Sequence, residues 1–274
     1  MQIDDLLRRV ESIPPLPRTI ILIEEYRRKS EKEISELHDI ISKDALIVTN
    51  LLKIANSAMF GFRSKVETPI RAISLLGINF TISVAISASS QKLLVTTLAP
   101  YGLTNDNFMN SSNIASVLAS LWLGKIDETI KDEIILPALL IDIGKYIIAD
   151  MILNEQKEKE FKAKIEEGIL SIEEVEKEFL GFSSSYVTAQ IFKHWKLSPN
   201  LINSIEFVDD INSVSKEFER KAKILSVIKT VANIKEPLSE KSIKEGIIKA
   251  KEYGFDTKIL AQTIENLKTK IDLY

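Results

Sequence analysis

Apolar residues recur at helical spacing along nearly the whole 274-residue chain, and strand-like alternation is sustained nowhere. The segment after Asp44 shows the pattern. Ile47, Leu51, Ile54 and Ala58 fall at i, i+4, i+7 and i+11, with Val48, Leu52 and Ala55 widening the stripe and Thr49, Lys53 and Asn56 on another face. A set of side chains repeating every 3.6 residues cannot stay on one side of a strand, where the repeat is 2, so the pattern commits the segment to helix. Only 9 glycines and 8 prolines punctuate the chain, too few turn-formers for a many-stranded sheet. The expected fold is all-α.

The punctuation also sets boundaries. A first helix over 2–11 is stopped by Ile13-Pro14-Pro15-Leu16-Pro17, because successive prolines forbid continuation. Helices follow over 18–29 and 33–42, then one capped by Asp44 that ends near Asn56-Ser57. Thr68-Pro69 opens the next and Gly77 closes it. Between 72 and 124 only Lys92 and Asp106 are charged, and 81–90 is small as well as uncharged, which predicts a central core helix. Further helices are expected over 105–124 and 130–153. The charge-rich run 154–178 reads as solvated surface helices. Helices at 184–196, 199–211, 216–234, 239–252 and 256–270 complete the chain. This gives two packed helical lobes, 1–104 and 105–212, with a helical extension over 213–274.

Composition excludes several kinds of chemistry. With no cysteine, the chain can hold no disulfide, thiolate nucleophile or thiolate metal site. The 36 basic and 39 acidic residues leave a net charge of −3 without a concentrated basic stripe, so nucleic acid is not an expected partner. The amino terminus has no apolar signal-peptide core, and Asp142, Lys145 and Asp150 interrupt the apolar run 134–153, so membrane insertion is not expected and a cytoplasmic location is. No phosphate-cradling glycine motif and no HExxH is present. The scarcity of histidine is the sharpest constraint. The chain has only His38 and His194, while a hydrolytic metal centre without cysteine must be built mainly from imidazole and carboxylate. His38-Asp39 reads as a solvated pair and His194 as a helix-end residue beside Trp195. Asp142, alone among apolar neighbours, needs a partner, and Lys145 three residues on could supply it.

Several blocks together resemble the HDOD domains, HD-related output domains of bacterial signalling proteins. They are the Ser12-to-Pro17 segment, the stretch from Ile40 through Asn56-Ser57-Ala58-Met59-Phe60-Gly61, the block Ile70 to Gly77, and Glu178 to Gly181 followed by Trp195 to Pro199. The likeness covers roughly 10–210. It implies a multi-helix HD-like fold descended from metal phosphohydrolases whose metals sit on histidines and a His-Asp pair. Where that pair belongs this chain has Ile141-Asp142, and the later histidine positions carry Ser184 and, less firmly aligned, Val208-Asp209. Asp142, Ser184 and Asp209 are therefore expected to mark a vestigial site with no metal, no cofactor and no catalytic residue.

The resemblance implies a non-enzymatic regulatory module of bacterial signal transduction, acting on a signalling protein supplied in trans, in motility or another environmental response. A small-ligand sensor of nucleotide type, using the emptied cleft around Asp142, is the alternative, and a residual metal-dependent phosphohydrolase stands behind it. Asn56 and Ser57 are well suited to helix capping and are secondarily candidate partner contacts. A homo-oligomer stays open.

Overall fold

Backbone chemistry places the breaks of the chain largely where proline, glycine and capping residues stand. In the computed structural model, which describes residues 2–27, 29–92 and 96–272, α1 (Gln2–Ser12) ends before the proline segment, and α2 (Arg18–Arg27) and α3 (Ile34–Ile41) follow. The expected end of α2 at 28–29 falls partly on Arg28, outside the described residues. Helix α4 (Ala45–Ala55) begins at Asp44, whose carboxylate accepts from the amides of Leu46 at 3.0 Å and Ile47 at 3.3 Å. Pro69 opens α5 (Pro69–Leu76). Gly77, at φ +85°, turns the chain into α6 (Ile78–Lys92), and the two helices are bent by 120°. No single described helix is long and apolar enough to cross a membrane.

The middle and end of the chain are α7 (Asn105–Ile126), α8 (Glu128–Leu140), α9 (Lys145–Asn154), α10 (Glu158–Glu167), α11 (Ile172–Leu180), α12 (Ser184–His194), α13 (Pro199–Glu206), α14 (Lys216–Val231), α15 (Glu240–Glu252) and α16 (Thr257–Asp272). No strand occurs among the described residues, so the all-α expectation holds. Helices α2 to α6 pack on one another, α6 and α7 both pack on α8, and α12 to α16 continue the stack back onto α7. The small residues of 81–90 are buried, as expected of a core helix, since short side chains let neighbouring backbones approach.

Three details differ from the sequence reading. First, α1, assigned above to the first lobe, packs against α9 and α12. Gln2 Nε2 donates to the Phe179 carbonyl at 3.1 Å, and Arg9 pairs with Asp150. Second, the single helix expected over 130–153 is two helices, α8 and α9, separated by tight i→i+3 turns at 141–144. Hydrophobicity persists across the break, so periodicity alone could not show it. Third, the charge-rich run is not solvated throughout. Ser171 and Glu174 form a capping box at the start of α11, yet Glu176 on the same helix is fully buried.

The α14–α15 contact depends on Gly246 inside α15. A Cβ there would lie 2.2 Å from Val231 Cγ2. Gly246→Ala is expected to lose about 1–3 kcal/mol, because overpacking outweighs alanine's better helix propensity. Chemical denaturation checks it, and a stabilised variant would contradict the packing.

Candidate functional site

The break at 141–144 creates the polar centre of the molecule. Gly144 donates its amide to Thr188 Oγ1 at 3.0 Å, and that hydroxyl lies 3.2 Å from the Ile141 carbonyl and 2.9 Å from the Ser184 carbonyl. The turn is thereby fastened to α12 through Thr188. Asp142 and Lys145 face the same interior volume, with α11, α12, the Val208-Asp209 segment and α14 supplying the other walls.

Two ammonium groups occupy that volume. Lys145 is fully buried, and its Nζ donates to Glu176 Oε1 at 2.8 Å, Ser184 Oγ at 3.0 Å and Glu173 Oε1 at 3.1 Å, with Asp142 Oδ1 at 3.3 Å. Lys229, from the last turn of α14, places its Nζ 2.9 and 3.0 Å from the two Asp209 carboxylate oxygens, 3.0 Å from Glu173 Oε1 and 3.1 Å from Ser185 Oγ. Asp142 Oδ1 is 4.0 Å from Lys229. Glu173 is shared by the two lysines, so the cluster is one continuous network of two cations and four carboxylates.

The buried groups have shifted ionisation. Burial alone would lower the Lys145 pKa, but Glu173, Glu176 and Asp142 outweigh it and hold the ammonium well above the usual lysine range. Lys229 is likewise raised against burial, chiefly by Asp209 and Glu173. Burial works against the charged form of Glu173 too, yet Lys145 and Lys229 together hold it far below the ordinary carboxylate range. Glu176 is pushed up, mainly by burial and in part by Glu173. Three donors nonetheless converge on it: the Lys145 ammonium, the Tyr101 hydroxyl at 2.9 Å and the Ser184 amide at 2.6 Å. The last contact makes Glu176 the anionic cap of α12, where Ser183 makes no side-chain cap bond. Tyr101, raised by its burial and by Glu176, stays a phenol and donates.

A metal ion of the kind implied by the HD resemblance does not fit this constellation. No imidazole enters it, and Ser184 and Asp209 stand at positions to which the HD resemblance assigns histidine. The carboxylates are already held by ammonium groups at 2.8–3.3 Å. A divalent ion would have to displace a lysine, and hard cations take several oxygens or imidazole nitrogens at about 2.0–2.6 Å. Among the described residues no group of three His, Asp or Glu side chains is arranged to hold a metal.

The structure thus brings Asp142, Ser184 and Asp209 to one cluster. Sequence reasoning paired Asp142 with Lys145 but missed Glu173, Glu176, Tyr101 and Lys229. Two signals were available. Glu173 and Glu176 are spaced i, i+3 on one helix face, and Lys229 interrupts the apolar segment 224–231. The histidines lie elsewhere. His38 Nδ1 is 3.4 Å from Asp39 Oδ1 on α3, a pair in closer contact than adjacent helical positions suggested, with Asp39 largely exposed. His194 Nε2 donates to the Ile13 carbonyl at 2.8 Å, and Trp195 Nε1 to Pro14 at 3.2 Å, fastening the proline segment to α12. A carbonyl only accepts, so that ring nitrogen carries the proton. Asn56 and Ser57 are remote from the cluster. Asn56 Nδ2 donates to the Leu52 and Val66 carbonyls and its Oδ1 accepts from the Val66 amide, all at 2.8 Å, while Ser57 Oγ donates to Ile54 at 2.8 Å.

A cleft of about 930 Å³ opens beside Lys229, with Asp142, Glu173 and Asp209 on its wall and Lys177, Lys223 and Lys249 further out. Lys249 donates to Thr230 Oγ1 at 2.8 Å, and burial lowers its pKa.

The fold has counterparts among known proteins. The HDOD domain family model matches residues 13–211. A solved structure of a virulence factor from Campylobacter jejuni subsp. jejuni is 27% identical, with 98% of this chain and 100% of that one covered and a TM-score of 0.57. A Shewanella amazonensis protein provisionally named a phosphohydrolase is 19% identical, covered 97% on both sides, with a TM-score of 0.70. A Marinobacter aquaeolei protein provisionally named for signal transduction is 17% identical, with a TM-score of 0.71, 99% of this chain and 63% of that one being covered. The latter two likenesses concern the fold alone. An uncharacterized protein of Treponema pallidum is 28% identical over 89 residues, 32% of this chain and 17% of its own length; the chain spans less than two thirds of it and of the Marinobacter protein.

Proposed function

The chain belongs to the HDOD domain family, and from that premise we propose that it is a non-catalytic regulatory module of bacterial signal transduction, acting by binding a protein partner in trans. The observation that carries this reading is the pair of lysine ammonium groups seated among Asp142, Glu173, Glu176 and Asp209. A phosphohydrolase of the HD type needs metal-bound water as its nucleophile, and here the carboxylates that would hold the ion serve as counter-ions to lysine. The cluster then has a structural role. It ties α9, α11, α12 and α14 together through charge and needs no ion from solution.

Elemental mass spectrometry, after incubation of untagged protein with manganese, iron or zinc and removal of free ion, is the test. Background metal is expected, with no phosphodiesterase activity. One or two tightly held equivalents per chain would sink the reading.

A second reading has the cleft of about 930 Å³ in its favour, a volume suited to a small ligand. Carboxylates outnumber lysines on its lining, so a polyanionic nucleotide meets net repulsion there while a neutral or cationic ligand does not. Calorimetric titration of a nucleotide series is expected to give no saturable heat; a saturable signal abolished by Lys249→Ala would favour the sensor.

A further inference from the structure

The stretch from α4 through α5 has a charge balance unlike that of the chain as a whole. Residues 45–78 carry four basic side chains, Lys53, Arg63, Lys65 and Arg71, against one acidic one, Glu67, in a protein of net charge −3. Three of the four surround a cavity of about 580 Å³ that no carboxylate lines, with Leu52, Ala55 and Phe62 as its apolar part and Ser57 and Ser64 offering hydroxyls. Lys53, Arg63 and Lys65 are exposed, and each is without an ion-pair or hydrogen-bond partner among the described residues.

Exposure usually means that such charges are loosely placed, but this loop is held at both ends and in the middle. Asn56 bonds both backbone groups of Val66, at 2.8 Å each, and gives its remaining donor to Leu52. Gly61 takes the left-handed turn at φ +59°. Phe60 stacks on Phe62 at 5.8 Å between ring centroids and meets Phe80 of α6 edge-on at 5.3 Å. Arg71 donates to Ser64 Oγ at 3.2 Å. A loop ordered before binding loses little conformational entropy when it meets a partner. Lys53 alone would be explained by its place in the last turn of α4, where a cation complements the helix dipole; Arg63 and Lys65, in the loop, have no such account.

We propose that this Asn56-pinned loop is the docking site for an acidic segment of the partner protein, gripped by Lys53, Arg63 and Lys65 with the apolar floor receiving an adjoining side chain. The proposal deepens the interaction-module reading, on which it rests, by assigning the surface and the charge of its partner. Nucleic acid is the poorer fit. The three cations around the cavity, with Arg71 beyond it, fall short of the roughly 6–10 phosphate contacts typical of duplex binders.

The test is fluorescence anisotropy with a labelled, short glutamate-rich peptide and the full chain at low salt. Saturable binding that weakens steeply with added sodium chloride is expected. The triple variant Lys53→Glu, Arg63→Glu, Lys65→Glu is expected to bind about tenfold or more weakly, since three attractive pairs become repulsive, with its melting temperature unchanged because all three side chains are exposed. Asn56→Ala keeps the cations but frees the loop, and is expected to weaken binding severalfold with the salt dependence retained. No binding by the unaltered protein, an unchanged affinity in the triple variant, equal displacement by inorganic phosphate, or tighter binding of a single-stranded oligonucleotide would each overturn the proposal. Those outcomes leave the metal-free reading standing, because only metal uptake bears on that.

Discussion

Lys145→Met is expected to destabilise the protein by about 3–5 kcal/mol, the usual cost of breaking a buried ion pair by removing one partner. Methionine fills a similar volume, so the loss is electrical. Glu176, fully buried, and Asp142, nearly so, would be left without the ammonium that lies 2.8 Å from one and 3.3 Å from the other. Denaturant unfolding measures the change, and the melting temperature should fall by roughly 2–4 °C per kcal/mol for a chain of this size. Lys145→Met combined with Glu176→Gln should recover part of the loss, because the worst uncompensated charge is removed as well. A loss below about 1 kcal/mol in the single variant would mean that the cluster is solvated and the network is not what joins α9 to α11 and α12.

The same network fixes the pH response. A lysine whose pKa is raised on folding adds stability that is complete below its ordinary value of 10.5 and is lost as pH climbs through the folded value; Lys145 and Lys229 are of this kind. Glu173, lowered on folding, adds stability above its ordinary 4.5 that is lost as pH falls through its folded value. Glu176 runs the other way, since a raised carboxyl penalises the fold as pH rises past 4.5. Loss of Glu173's contribution on the acid side, blunted by Glu176, and loss of the lysine contributions only in strong alkali are therefore expected. In Lys145→Met the acid limb should shift, because Glu176 loses its cation at 2.8 Å and Glu173 keeps only Lys229 of its two.

Gly144→Ala is the second large effect. A Cβ at that position would lie 2.3 Å from the Ser184 carbonyl, 2.8 Å from the Thr188 amide and 2.9 Å from Val187 Cβ. Two of the three obstacles are backbone atoms of α12 and cannot rotate away, so α12 or the 141–144 turn must move. Either shift disturbs the Thr188 contacts to Gly144 and Ile141 and separates Ser184 from Lys145. A loss of about 3 kcal/mol or more is expected, at the upper end for overpacking, because strain and a broken polar network add. Differential scanning calorimetry checks it. A near-wild-type transition would show that α12 can slide without cost and that the cluster geometry is not fixed by this contact.

The helical character of the chain, most of its breaks and the shortage of imidazole are legible in the order of the residues alone. Those features depend on periodicity, on proline and glycine, on capping residues such as Asp44, and on simple inventory. All of these act over a few residues or over none. The order of the family blocks pointed to Asp142, Ser184 and Asp209, and Asp142's lone charge pointed to Lys145 one turn away.

It takes the packing of helices far apart in the chain to show that Glu173, Glu176 and Lys229 complete the cluster, that α1 joins α9 and α12, and that 130–153 is broken into two helices at 141–144. Residues 145 and 176 are neighbours because two helices cross there, and no local propensity encodes a crossing. A buried carboxylate and a solvated one look alike in a charged helix such as 172–180. The difference is the desolvation cost, which is set by what packs against the helix and is recovered only where an ammonium from another element arrives. The same reason accounts for Gly144, whose missing side chain is required by a helix some forty residues further along the chain.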